Sequence, residues 1–471
     1  MTNLSRFRIE GLHGRNRAID VPIVDNRLVL VGENGTGKST FVSLLYYFLT
    51  LQWRRIIEYR FSTVRIECGD EIVQLSHEDV EALLELQNEH LSHGARRIYH
   101  PTSSRYIQTR LFEEMALVDL AEDSAVEKLV DLGNIPRSLA RQVYRDYKSS
   151  EMKLEKKGVL KEVNRLKSWK FGQFLYLPTY RRIEQDLKSI FRGIEIEEKV
   201  KEFRERLRKR QNTSYIELIE FGMEDVERTI QNRMSQIKEN VRTGLNTLTG
   251  TYLRDVIKGV QENPEVSVLR SIDQAGFQSM FARIDEAILP ASDKSLLQAK
   301  VQEIVNGSPI GPDDKVVAHF LSKLVSLYVE QQHNESDVRD FVQLCNEYLT
   351  GKQVIYDDVK YEIYVCLDEG PGGSAKDREK LLLKTLSSGE KQIVSLFSHI
   401  YLSGESAFFV VIDEPELSLS VPWQQRFLPD IWKTGRCTGL VSVTHSPFIW
   451  ENEMDRYVKS LAEFVEIIHD I

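Results

Sequence analysis

Leu28-Val29-Leu30-Val31-Gly32-Glu33-Asn34-Gly35-Thr36-Gly37-Lys38-Ser39 is the stretch on which the fold turns. Its first four residues are an apolar run that reads as a buried strand, and the next eight satisfy the phosphate-loop pattern G-x-x-x-x-G-K-[ST] at every fixed position. Phe41, Leu44, Leu45 and Phe48 then recur at helical spacing. Strand, glycine-rich turn and helix is the arrangement phosphate binding needs. The glycines let the backbone wrap closely, and the helix start points unpaired N–H groups and a positive dipole end at the anion. Asn34, Gly35, Gly37 and Thr40 belong to this cradle, Lys38 would reach the β- and γ-phosphates of ATP, and the Ser39 hydroxyl would ligate Mg²⁺.

Working outward, Phe7 and Ile9, then Ala18, Ile19, Val21 and Ile23, alternate with polar residues and read as two short strands ahead of the loop. Beyond the loop helix, Val64, Ile66, Ile72, Val73 and Leu75 alternate around Gly69-Asp70, a hairpin signal. A helix is expected from about His77, with Val80, Leu83, Leu84 and Leu86 on one side. These residues make an N-terminal lobe over 1–80. Residues 81–350 read as a large, mainly helical insertion, and residues 351–471 as a C-terminal lobe.

The insertion is charged and carries no internal repeat. Residues 137–182 hold thirteen Lys and Arg against four acids, a net of +9 within a chain of net −9. Lys153, Lys156, Lys157, Lys161, Arg165, Lys167 and Lys170 dominate it, and Arg204, Arg206, Arg208, Lys209 and Arg210 follow on a second helix. Two readings stand: a surface for nucleic acid or an acidic protein, and a plain solvated helix face. Within the insertion, 171–184 looks like part of the head, because the apolar run Phe174-Leu175-Tyr176-Leu177 ends at Pro178 as a strand ends in a turn. Arg181 and Arg182 beyond it would face a phosphate or a partner subunit, or sit in a surface turn.

Composition sets the broad class. A hydrophobic content of 41% with 28% charged residues is that of a soluble globular protein, and 471 residues allow two to three domains. Cys68, Cys345, Cys366 and Cys437 are far apart and form no C-x-x-C pair, which argues against a disulfide framework or zinc site and for a reducing cytoplasm. With no apolar leader and no membrane-length apolar run, the expected location is cytoplasmic, with no membrane contact.

Toward the C-terminus the chemistry concentrates. Val354, Tyr356, Val359, Tyr361, Ile363 and Val365 alternate around Asp357-Asp358 as a hairpin, and a Gly- and Pro-rich loop at 370–373 follows. Leu386-Ser387-Ser388-Gly389-Glu390 then opens a helix, a second anion-binding helix start. Phe408-Phe409-Val410-Val411-Ile412 is a buried strand carrying Asp413 and Glu414 at its tip, where ligands sit in α/β sheets. Asp413 suits the Mg²⁺ shell, and Glu414 suits polarising a water for in-line attack on the γ-phosphate. Leu417-Ser418-Leu419-Ser420 comes next. Leu440-Val441-Ser442-Val443-Thr444 is a further strand, ending at His445, which is placed to reach the same phosphate.

In this order, phosphate loop, LSSGE, apolar-DE, LSLS and strand-His, the motifs resemble the ABC-type ATPase head shared by SMC, Rad50, RecF and bacterial defence ATPases. The resemblance covers roughly 1–75, 170–185 and 350–450. It implies an α/β P-loop NTPase head: a mixed central sheet, an antiparallel β subdomain, and a helical insertion between the Walker A loop and the signature. By that resemblance Ser387, Ser388, Gly389 and Glu390 form the signature that meets the ATP of a second protomer. Asp413 and Glu414 are then the Walker B pair, the LSLS segment the D-loop, and His445 the switch histidine. The Gln usual after the Phe174–Leu177 strand is absent. Thr179 stands there, and Gln185 is the alternative. The DEPELSL, THSPF and LPTYRRIE stretches further resemble the ATPases of the PARIS and Septu antiphage systems. A PARIS-like subunit implies an ATP-sandwiched head dimer, open to higher oligomers, controlling a separate nuclease of Toprim (DUF4435) type and responding to a phage-encoded trigger. A RecF- or SMC-like repair ATPase gripping DNA through the basic insertion is the alternative. Only 26 residues follow His445, so any nuclease is expected on another polypeptide.

Overall fold

A computed structural model describes residues 2–33, 35–88, 126–127, 130, 137–138, 141, 158–178, 215–217, 223–259, 266–284, 286, 289–306, 311–368 and 379–468. In chain order the strands are β1 (Leu4–Glu10), β2 (Arg17–Pro22), β3 (Arg27–Val31), β4 (Thr63–Cys68), β5 (Glu71–Ser76), β6 (Gln173–Leu177), β7 (Tyr215–Glu217), β8 (Lys352–Asp357), β9 (Glu362–Leu367), β10 (Lys380–Leu381), β11 (Phe408–Asp413), β12 (Cys437–Val443), β13 (Val458–Ser460) and β14 (Val465–Ile467). The longer helices are α1 (Lys38–Leu49), α2 (His77–Asn88), α3 (Val159–Ser168), α4 (Met223–Ile257), α5 (Gln274–Ala282), α6 (Ala291–Val305), α7 (Pro312–Asn334), α8 (Ser336–Tyr348), α9 (Ser388–Leu402) and α10 (Val421–Lys433). These elements fall into two compact units, 1–219 with 406–471, and 220–405. The stretch 351–405, read from the sequence as the start of a C-terminal lobe, therefore clusters with the helices that precede it.

The first unit has two sheets among its described residues. In one, β14-β2-β1-β4-β5 are all antiparallel neighbours. Alternation in β1 turns Phe7 and Ile9 inward and leaves Arg6 and Arg8 outside, where both reach Asp20 at 3.1 and 3.0 Å. A register shift between Leu4 and Arg6 explains why Leu4 shares the inward face although it is three residues from Phe7. The other sheet, β13-β3-β12-β11-β6-β7, is parallel at every pairing. The sequence leads one to expect a mixed central sheet; among the described residues it is wholly parallel, and the antiparallel pairing of this unit belongs to the sheet around β1. β11 is buried from end to end, the continuous apolar run of a strand covered on both faces. Helix α1 is buried almost all round. Phe41 packs edge-on against Phe7 at 5.0 Å between ring centroids, and Tyr46 stacks on Tyr176 of β6 at 4.4 Å.

The tail after His445 knits both sheets, since β13 pairs with β3 and β14 with β2. Part of the basic segment also belongs to this unit. Helix α3 buries Val159, Val163 and Leu166 in the same core, and Arg165 donates to the Ile72 carbonyl at 2.6 Å and to Glu162. Lys161 is exposed. Lys153, Lys156, Lys157, Thr179, Arg181, Arg182, Gln185, the second basic helix and the loop at 370–373 lie outside the described residues.

The second unit is mainly helical. Leu248 of α4, Phe277 and Phe281 of α5, Val301 of α6, and Leu321 and Val325 of α7 share one apolar cluster. β8 and β9 form the hairpin that the alternation around Asp357-Asp358 predicts, with β10 added at the edge of β9. Buried Arg283, just past α5, makes a two-pronged ion pair with buried Glu335 at 2.8 and 2.9 Å and a third contact with Asp358 of the hairpin turn at 2.8 Å. No described helix is long and apolar enough to cross a membrane. The fold expected from the sequence, an α/β phosphate-loop head with a large helical segment before the LSSGE string, is the fold found.

Candidate active site

The phosphate loop joins β3 to α1. At Gly35 (φ 78°) and Gly37 (φ 102°) its backbone is left-handed, and beyond the adjoining residues no atom lies within 4 Å of where a Cβ would stand. Backbone angle, not crowding, is what calls for glycine at both positions. Lys38 opens α1 and is 4% exposed. Its ammonium donates to the carbonyls of Gly32 and Glu33 at 2.8 and 2.7 Å. An ammonium has three N–H bonds, so one more remains for an anion. Burial lowers the Lys38 pKa, and the carboxylates of Asp413, Glu414 and Glu416 oppose that shift. Thr40 is half-buried on the first turn of α1, and Asn34 lies outside the described residues.

Sheet order brings the remote motifs to this loop. β12 lies between β3 and β11, so the C-terminal tips of all three strands share one edge. Ser39 Oγ donates to Asp413 Oδ1 at 2.9 Å, a contact across 374 positions of chain. A serine hydroxyl beside a buried carboxylate supplies two hard oxygen donors, which suits Mg²⁺; its remaining ligands would be phosphate oxygens and water. Glu414 leaves the sheet in a left-handed conformation (φ 54°), and its N–H bond to Val443 O, at 2.8 Å, ties it back to β12. Such an angle on a non-glycine residue is strained, and strain of this kind concentrates at working sites. Exposed His445 stands one residue past Thr444, whose N–H bonds to Leu30 O of β3 at 3.2 Å. Lys38, Ser39, Asp413, Glu414 and His445 are thus brought together.

The LSSGE string belongs to the second unit. Ser387 caps α9 with a reciprocal pair of bonds. Its hydroxyl accepts from Glu390 N–H at 3.4 Å, and its own N–H donates to Glu390 Oε2 at 2.7 Å. Lys352 of β8 donates to the same Oε2 at 2.7 Å. Burial would raise the Glu390 carboxyl, but Lys352 and Ser387 outweigh it and hold it below its ordinary value. Sequence reasoning placed Glu390 among the nucleotide contacts. In the structure it is buried and engaged in closing the helix start, while Ser387 and Ser388 remain exposed.

Three residues escaped the sequence reading. Glu416 accepts from Thr444 Oγ1 at 2.7 Å and from His445 N–H at 2.8 Å, and Gln424 accepts from Ser446 Oγ at 2.6 Å. A third acid two places after Glu414 was the available signal for the first; Lys352 had none.

The family model described as an AAA ATPase domain matches residues 3–450. No curated protein matches the chain. Among solved structures, an Smc head domain with an extended coiled coil, bound to the C-terminal domain of ScpA and derived from Pyrococcus furiosus, is 10% identical. Its alignment covers 95% of this chain and 91% of that one at a TM-score of 0.31. An Smc head domain with a coiled coil and joint from Pyrococcus yayanosii is 14% identical, covering 95% and 93% at a TM-score of 0.29. At such scores neither likeness carries an argument about this chain. With the phosphate loop, the acidic strand tip and the family match all in place, the chain belongs to the AAA ATPase domain family.

Proposed function

We propose that the chain binds ATP with Mg²⁺ and hydrolyses its γ-phosphate at the site built by Lys38, Ser39, Asp413, Glu414 and His445. The observation that carries this reading is the 2.9 Å contact between Ser39 and Asp413, which joins the phosphate loop to the acidic strand tip. Loop N–H groups around Gly35 and Gly37 and the start of α1 hold the phosphates, and Lys38 adds a buried positive charge. Ser39 and Asp413 would hold the Mg²⁺, which when bound neutralises charge on the β- and γ-oxygens. Glu414, turned out of the sheet, accepts the proton of the attacking water. His445 donates a hydrogen bond to the γ-phosphate. Ser387, Ser388 and Gly389, with the N–H groups of the α9 start, are offered to the nucleotide of a second copy, so that two chains close around ATP and separate after hydrolysis. The direct test is nucleotide binding by Lys38→Ala. Loss of binding of at least about tenfold supports the reading, and unchanged affinity refutes it.

The resemblance of the DEPELSL, THSPF and LPTYRRIE stretches supports a cellular role as the ATP-driven sensor or scaffold of an antiphage defence system. In that role the chain governs a separately encoded effector nuclease of Toprim type, released when a phage protein is sensed. Co-expression with a Toprim-type nuclease, should one be encoded beside it, should reduce phage plating, and Glu414→Gln should abolish the protection. Full protection by the chain alone would contradict the two-component reading.

A further inference from the structure

Glu416 closes a ring of hydrogen bonds around the active edge of the first unit. One carboxylate oxygen accepts from Thr444 Oγ1 at 2.7 Å and the other from His445 N–H at 2.8 Å. Ser446 N–H donates to Thr444 Oγ1 at 3.0 Å, and Ser446 Oγ donates to Gln424 Oε1 at 2.6 Å. Gln424 Nε2 donates to Leu419 O at 2.9 Å, and Leu419 N–H returns to Glu416 O at 3.1 Å. The ring has a topological cause. Within the parallel sheet β12 takes its neighbours from β3 and β11, but β11 ends when Glu414 turns out of the sheet. Past the end of β12, Thr444 N–H turns to Leu30 O of β3, and the next donor, His445 N–H, is accepted by Glu416 from the outgoing turn of β11.

We infer that Glu416 is the positioning residue of this site: it fixes the His445 backbone against the turn that presents Glu414, so that the proton-accepting carboxylate and the phosphate-facing imidazole keep one spacing. Gln424 ties the LSLS segment into the same ring, so a shift of that segment moves His445. The inference rests on the ATPase reading for its effect on turnover, but the ring itself does not. Two oxygens on one carboxylate hold two partners at once, a constraint that a single side-chain contact would not supply. Glu416 is also one of three carboxylates acting on Lys38, so its charge and its geometry must be separated.

Glu416→Ala, Glu416→Gln and Thr444→Val separate them, read by turnover, nucleotide affinity and amide hydrogen exchange on the full chain. Glu416→Ala should lower kcat at least tenfold while ATP Kd changes less than threefold. Glu416→Gln keeps an oxygen for His445 N–H and should retain a third or more of wild-type kcat. Thr444→Val, a replacement of the same shape, should lower kcat about threefold or more at unchanged Kd. Exchange over residues 440–449 should rise in Glu416→Ala and stay at the wild-type level in α1. Equal loss in the Gln and Ala variants would assign the effect to charge and overturn the inference, as would wild-type kcat in Thr444→Val, whether or not Glu416→Ala folds. If the wild-type chain hydrolyses no ATP, the ATPase reading fails. Exchange then decides for the ring alone: faster exchange over 440–449 in the Ala variant supports it, and wild-type exchange there rejects it.

Discussion

At the scale of single residues, the site depends on groups whose neighbours change what they do. Lys38 is desolvated under its own loop, so its charge is held by two carbonyls and three nearby carboxylates instead of water. Glu390 shows the same effect at a helix start. Because its folded carboxyl lies below the ordinary 4.5, its stabilising contribution is complete above that value and is lost as pH falls through the lowered one. Glu390→Gln should therefore be less stable than wild type at neutral pH, and the gap in Tm should close as pH falls below 4.5; a constant gap would contradict the assignment. Ser387→Ala removes the other half of the capping pair and should cost about 1 kcal/mol in chemical denaturation. The phosphate loop was legible because its chemistry is local: glycines at fixed spacing, then lysine and serine. Glu416 and Lys352 were not, because their partners lie 28 and 38 positions away and meet them only once the strands are ordered.

Among the elements, strand alternation and turn residues were readable wherever both partners are close in the chain. Gly69-Asp70 and Asp357-Asp358 each marked a hairpin that the structure contains. β13 and β14 gave no such signal. Each is three residues long, and each pairs with a strand more than 400 positions earlier, so the alternation available was too short to register. Helix α3 carried an ambiguous signal. Its lysines and arginines suggested a charged surface, but Val159, Val163 and Leu166 bury one face, and Arg165 is used within the unit. The Arg283–Glu335 pair is equally invisible to local pattern, since it sits where α5, the α7–α8 junction and the hairpin turn converge. Arg283→Ala removes the two-pronged partner of buried Glu335, which keeps Arg339 at 3.1 Å, and should cost about 1–3 kcal/mol in denaturant titration. A loss under about 1 kcal/mol would mean that the pair is dispensable.

On the scale of the whole molecule, the chain builds two units, each holding an apolar cluster. The groups proposed to face nucleotide are shared unequally: phosphate loop, acidic pair and histidine in one unit, the LSSGE helix start in the other. An ATPase that pairs through nucleotide should show two linked responses. Saturating Mg-ATP at a hundredfold over Kd should stabilise the first unit of Glu414→Gln by about 2.7 kcal/mol. Its mass by light scattering should double with ATP, and Ser387→Ala should abolish the doubling. A mass that ignores nucleotide would remove the pairing reading and leave the hydrolytic site standing. That site is tested most directly by single-turnover phosphate release from ATP by wild type and Glu414→Gln. The account predicts nucleotide bound with near-wild-type affinity and phosphate release slowed by about 10²-fold or more; release at the wild-type rate would contradict it.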